Sequence, residues 1–208
     1  MQKNQIISVL LFTLILIAGT ASLKAAQTEV PKAELPVLLT SCGQSPGANM
    51  LKAIFMRLKL PNETKAYELV TSATPDDLKA AQEAGFPYKT MIIVMGASLK
   101  GMGAAGISMD DELDRAAQLI EAARAQGITI IGSHIEGMKR RAQGANPGDN
   151  TDELSIDAIA PKSDFLIIRK DGNEDGRFSV IAKEKNIPLL EVEKNMELFE
   201  VLRQIFSK

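Results

Sequence analysis

Six short runs of Ile, Leu, Val and Met recur along this chain, each followed by a stretch of helical periodicity, and that alternation leaves few folds open. The runs are Leu35–Thr40, Ala66–Val70, Met91–Met95, Ile128–Gly132, Phe165–Ile168 and Pro188–Val192. They show little polar alternation, so they read as strands buried on both faces, as in a parallel sheet covered by helices. Strand–helix repetition with right-handed crossovers predicts an α/β three-layer sandwich with a mostly parallel sheet of five or six strands. Six units fit the Rossmann-like order 3-2-1-4-5-6 and five a flavodoxin-like order; the six-stranded arrangement is the expectation. Ser45 with Pro46, Thr74-Pro75-Asp76-Asp77, Ser108-Met109-Asp110-Asp111 and Asn150-Thr151-Asp152-Glu153 have the form of helix starts. Gly85 and Gly127 stand where helices should end.

The first residues read as a leader. Met1–Gln5 carries one positive charge, Ile6–Gly19 is an almost unbroken apolar run, and small residues follow up to Ala25-Ala26. That is the order of a secretory signal peptide cleaved near Ala25 or Ala26. The alternative is an uncleaved N-terminal membrane anchor, although the run is short of the ~20 apolar residues of a comfortable span. The expected organisation is a signal peptide over 1–25, a tether over 26–34 and one α/β domain over 35–208, in the periplasm or outside the cell. Removing the leader takes away Lys3 and Lys24 and moves the formal net charge from −2 to −4. That balance points away from nucleic acid as a partner. No later apolar stretch is long enough to span a bilayer. With Cys42 as its sole cysteine, the domain has no internal disulfide.

In parallel α/β sheets, ligands bind beyond the carboxyl ends of the strands, where strand order reverses. With the order 3-2-1-4-5-6, the loops Ser41–Gly47 and Gly132–Arg141 should face each other. The first opens into a helix whose N-terminus favours an anion or an ionised thiol, with Ser41, Gln44 and Ser45 as polar contacts. The second holds the only histidine, His134, and the basic run Lys139-Arg140-Arg141; Arg140 and Arg141 could grip a carboxylate or phosphate. His134 could serve as a base toward Cys42. The bland readings are a buried thiol, a hydrogen-bonded structural histidine and a solvated basic helix start.

Two further loops carry candidates. Gly101-Met102-Gly103-Ala104-Ala105-Gly106 matches G-x-G-x-x-G but follows a later strand, so it reads as a lid over a ligand or as a structural excursion rather than a dinucleotide fingerprint. Its ligand candidates are Lys100, Gly101 and Gly103. Asp171-Gly172-Asn173-Glu174-Asp175-Gly176 matches the first half of a calcium loop, with Asp171, Asn173 and Asp175 as ligands, but Ala182 stands where the bidentate Glu should be. The alternatives are a plain turn, or Asn173 and Asp175 reaching the common ligand site. The usual zinc set, G-x-S-x-G and Walker A are absent from the sequence.

The stretches Leu38–Gly47, Lys100–Ile107, Ile131–Gly137 and Asp171–Gly176 together resemble an uncharacterised family of exported bacterial α/β domains. The resemblance covers about residue 35 to the end. It implies a bacterial exported protein and brings no activity or catalytic residues with it. From the residues, the leading expectation is a protein that binds a small anionic or polar solute at the strand carboxyl ends. The alternatives are a Cys-dependent hydrolase or acyl transferase, with Cys42 as nucleophile and His134 as base, and a non-catalytic interaction domain.

Overall fold

Val37–Cys42 (β1) is buried at every position and paired along both edges, which makes it an inner strand. In the computed structural model, which describes residues 30–58, 60, 66–142 and 151–207, five more parallel strands join it. They are Tyr67–Leu69 (β2), Thr90–Met95 (β3), Thr129–His134 (β4), Phe165–Arg169 (β5) and Leu189–Val192 (β6). All six apolar runs therefore become strands. The helices are Gly47–Phe55 (α1), Pro75–Glu83 (α2), Leu99–Ala105 (α3), Met109–Ala125 (α4), Thr151–Ile159 (α5), Arg177–Lys185 (α6) and Leu198–Ile205 (α7). No helix among the described residues is long and apolar enough to cross a membrane. The leader and its cleavage site, and the helix-start residue Asn150, lie outside the described residues.

The strand order is 2-1-3-4-5-6, which corrects the expected 3-2-1-4-5-6: the flavodoxin-like order is extended to six strands. β1 pairs with β3 over all six residues of each, Val37 opposite Thr90 through Cys42 opposite Met95. β2 has three residues, one of them the exposed Glu68, and such a strand suits the rim of a sheet rather than its middle. The chain thus steps once to one side, then runs back past β1 to the other. Right-handed crossovers require the helices to change face at that reversal. Accordingly α1 and the returning α7 cover one face, while α2, α4, α5 and α6 cover the other.

Alternate strand residues feed two cores. Leu38, Met91, Ile93, Ile130, Leu166 and Ile168 pack under α2, α4, α5 and α6. Leu39, Ile92, Val94, Ile131 and Ile167 pack under α1 and α7. Each such side chain contributes about 1.5–3 kcal/mol when removed from water. Residues 30–34, expected as a tether, lie against α7: the Ala33 N–H donates to the Ile205 carbonyl at 3.1 Å, and Val30 and Ala33 pack on that core.

The capping reading holds at α2 and α4. The Thr74 N–H donates to Asp77 Oδ2 at 2.7 Å, and Ser108 and Asp111 bond reciprocally at 2.8 and 3.1 Å. At α1 Ser45 Oγ accepts from the Gly47 N–H at 3.4 Å, with Pro46 between them already in helical conformation (φ −66°, ψ −9°).

Candidate functional site

Because β3 rather than β4 lies beside β1, the reversal of strand order falls between β1 and β3. The loop that meets residues 43–47 is therefore 96–101, and backbone fills the crevice between them. The Ser98 N–H donates to the Gly43 carbonyl at 2.7 Å, and Gln44 forms a bridge with Ala97. Gly43 has φ +103°, and a Cβ there would lie 2.5 Å from the Gly96 carbonyl oxygen. A Cβ on Gly101 would lie 2.5 Å from the Gln44 carbonyl oxygen. These glycines permit close approach of backbone to backbone. The glycine-rich segment is built as α3, with Lys100 and Gly103 exposed on it and Gly101 against the Gln44 backbone.

Polar residues at the ends of β1 and β4 read as loop but belong to the strands. Ser41 is wholly buried and its hydroxyl donates to the Thr71 carbonyl at 3.0 Å. Cys42 is also wholly buried; burial, helped by the negative charge of Glu112, pushes its thiol up to about 12. His134 ends β4 with its ring buried. The pairing of β1, β3 and β4 puts Met95 between Cys42 and His134 in one row across the sheet, two strand spacings or roughly 10 Å apart in backbone. The fold does not bring thiol and imidazole together. His134 faces the carbonyl oxygens of Met95, 3.0 Å from Nδ1, and Gly137, 3.1 Å from Nε2. Burial pushes its pKa down, against the pull of those carbonyls.

Carboxylates outside the candidate site residues organise the rim. Glu112 of α4 is wholly buried; its Oε1 accepts from the Gly43 N–H and the Gln44 side chain, both at 2.9 Å, and its Oε2 from Arg115 at 2.8 Å. Glu136 reaches from the loop after β4 to the start of α1, where Oε2 accepts from the Gly47 N–H at 3.2 Å. Its Oε1 accepts from Arg140 Nε at 3.2 Å, and Arg140 also donates to the Ala97 carbonyl at 2.8 Å. Asp152 accepts from the Ala97 N–H at 2.7 Å, and burial raises its pKa despite that bond.

The loops after β1 and β4, expected to face each other directly, meet through the Glu136 carboxylate alongside the β3 loop. A signal was present for Glu112 and for a further buried acid, Glu153 of α5: Glu112 shares the helical phase of Ala116, Leu119 and Ala123, and Glu153 that of Ile156 and Ile159. A carboxylate on the apolar stripe of a helix needs a buried partner.

Arg141 lies under the surface rather than facing a ligand. Its Nε donates to Glu153 at 2.8 Å and its other nitrogens to Asp175 and the Gly172 carbonyl, with its guanidinium carbon 5.3 Å from the centre of the Phe178 ring. Burial works against its charge, but Glu153 and Asp175 outweigh that and raise its pKa. Asn173 is tied to Ser179 and Glu191, each at 2.8 Å. Asp171 is paired with Arg169, whose hydrogen bond lowers its pKa. The three candidate calcium ligands thus turn to separate partners. Among the described residues, no group of three or more His, Cys, Asp or Glu side chains is placed to hold a metal ion.

What stays open to solvent lies around this network. Arg140 keeps 28% of its side chain exposed. A groove of about 510 Å³ runs between the starts of α2 and α4, lined by Thr74, Pro75, Asp76, Asp114, Arg115 and Gln118 among others. The rim can therefore offer hydrogen-bonding groups and charges of both signs to a small molecule. Among the described residues, the large apolar side chains left exposed are Met56, Phe86, Leu99, Val180 and Met196, and they belong to five separate segments.

Among solved structures, the chain is similar to hydroxymethylglutaryl-CoA lyase from Pseudomonas aeruginosa, at 12% identity over 78% of this chain and 77% of that one, with a TM-score of 0.34. It is also similar to an acetyl xylan esterase, AlAXEase, at 12% identity over 83% and 85% of the two chains, with a TM-score of 0.36. No curated protein matches it in sequence. The profile of a domain of unknown function, DUF6305, matches residues 34–206, and the chain belongs to that family.

Proposed function

We propose that this is an exported bacterial binding protein for a small polar or anionic solute, taken at the carboxyl rim of its sheet. One observation carries the reading. Every buried acidic, basic or histidine side chain among the described residues gathers at that rim: Glu112, His134, Glu136, Arg141 and Glu153. Burying charge is costly, and a concentration of it in one place is characteristic of functional sites. The groove between α2 and α4 has the volume of a small-molecule site and opens on the same rim. The buried, protonated thiol of Cys42 and its separation from His134 favour binding over a cysteine-dependent hydrolase or acyl transferase.

A thermal-shift panel of phosphates, carboxylates, nucleotides, sugars and divalent ions tests the reading. A ligand of the folded state at a hundredfold excess over Kd adds about 2.7 kcal/mol of stability. The expected result is a hit weakened by Arg140→Ala. A panel with no hit overturns it.

A further inference from the structure

We propose that the cavity between α2 and the β2 edge of the sheet is a second binding site, one that takes a small organic ammonium ion. It lies apart from the carboxyl rim, on other residues, and does not depend on the reading given for that rim.

The cavity holds about 370 Å³, within the range of small-molecule pockets. Its space comes from α2, where Ala80, Ala81 and Ala84 line it at positions that longer side chains would fill. Past the end of that helix Gly85, at φ +79°, turns the chain back, and the Phe86 N–H donates to the Ala81 carbonyl at 3.0 Å. The turn sets Phe86 at the cavity with 57% of its surface exposed, an unusual position for a large apolar ring. Tyr88, only 8% exposed, supplies a second ring to the lining.

The charged groups of the lining are of one sign. Glu68 of β2 and Asp77 of α2 bring two carboxylates, and none of the described residues that line the cavity is basic. The Tyr88 hydroxyl donates to Glu68 Oε2 at 2.6 Å, which fixes that carboxylate beside the ring. Burial pushes the Tyr88 pKa up, helped by the bond to Glu68 and by the charges of Glu68 and Asp77. The phenol therefore keeps its proton, and the negative charge stays on the acids.

Rings and carboxylates around apolar space select one kind of ligand. An aromatic face attracts a cation through its quadrupole, and alkylated ammonium groups add apolar contact to that attraction. An anion would be repelled by Glu68 and Asp77, and a neutral apolar molecule would gain nothing from them. A metal ion calls for several oxygen ligands, and no group of three or more His, Cys, Asp or Glu side chains among the described residues is placed to hold one.

The chain has no tryptophan, and both of its tyrosines, Tyr67 and Tyr88, line the cavity, so its intrinsic emission reports on this site. The test is titration of the full chain with tetramethylammonium chloride, with sodium chloride and the uncharged tert-butanol as controls. The ammonium ion is expected to change the emission saturably, at a midpoint about tenfold below any that tert-butanol reaches. Phe86→Leu keeps the apolar bulk without the ring, and Glu68→Gln keeps an acceptor for Tyr88 without the charge. Each is expected to raise the midpoint about threefold, and both positions are exposed, so the fold tolerates the change. Ala80→Leu, at another exposed position, fills the cavity and is expected to abolish the saturable change. Equal midpoints for the ammonium ion and tert-butanol overturn the inference, since rings and acids would then add nothing to apolar space. So does the absence of a saturable change in the unsubstituted protein, a change that sodium chloride reproduces, or one that the three variants leave unmoved.

Discussion

The guanidinium of Arg141 and the carboxylate of Glu153 meet at 2.8 Å with 1% and 0% of their side chains exposed. Around them Arg177 bonds the second oxygen of Glu153, and Asp175 accepts from Arg141. Two arginines thus depend on one buried acid. Glu153→Ala is expected to cost about 3–5 kcal/mol, the usual loss when one member of a buried pair goes. Glu153→Gln should also destabilise, by less, because it keeps one acceptor. Urea unfolding of both variants checks this, and a cost below 1 kcal/mol for Glu153→Ala would show the arginines finding other partners.

Cys42 should be chemically silent in the folded protein. With its thiol pushed up to about 12 by burial, it stays protonated at pH 8, and the sulfur is wholly buried as well. Ellman's reagent is therefore expected to react only at the rate of unfolding, accelerating as urea is raised. Fast modification without urea would refute the burial and reopen a reactive-thiol role.

Acid should loosen the β4 end through His134. Its folded pKa lies below the ordinary value, so the unfolded chain takes up a proton first. The resulting stability is full above about pH 6.5, the unfolded pKa, and is lost as the pH falls through the folded pKa. As the only histidine, its ring resonances in NMR report the titration directly. A midpoint above 6.5 would mean that the imidazolium is held between the two carbonyls against the cost of burial.

Gly43→Ala tests the sealed crevice. The new methyl would meet the Gly96 carbonyl in a backbone conformation of φ +103°. Strain and overpacking each cost about 1–3 kcal/mol, so a loss of ~3 kcal/mol is expected by urea unfolding. Gly103→Ala serves as the control, since a Cβ there meets nothing within 4 Å.

All six strands were legible because a run such as Met91–Met95 has only one use in a domain of this size. Their order was not. Hydrophobic periodicity says which face of a strand is buried and nothing about which strand lies beside it; only the polar Glu68 within the second run hinted at an edge. The ends of β1 and β4 were misplaced for a related reason. Ser41, Ser133 and His134 look like loop residues by composition, yet lie in strands with their side chains buried.

The rim was legible as a region, since Gln44, Ser45, Arg140 and Arg141 do gather there. Their partners were not. Glu112 and Glu153 sit in acidic first turns that read equally well as solvated helix starts, and only their phase with Ala116 and Ile156 separates the two readings.

The bond between Ala33 and Ile205 brings the two ends of the described domain together at the amino edge of the sheet, away from the rim. A chain reconnected there by a short linker and reopened at an exposed turn, such as the one at Gly85, would keep every strand in place. In the native connectivity, a tether attached ahead of residue 30 would leave from the edge opposite the rim. Its attachment point would therefore sit behind the sheet, and the rim would look outward.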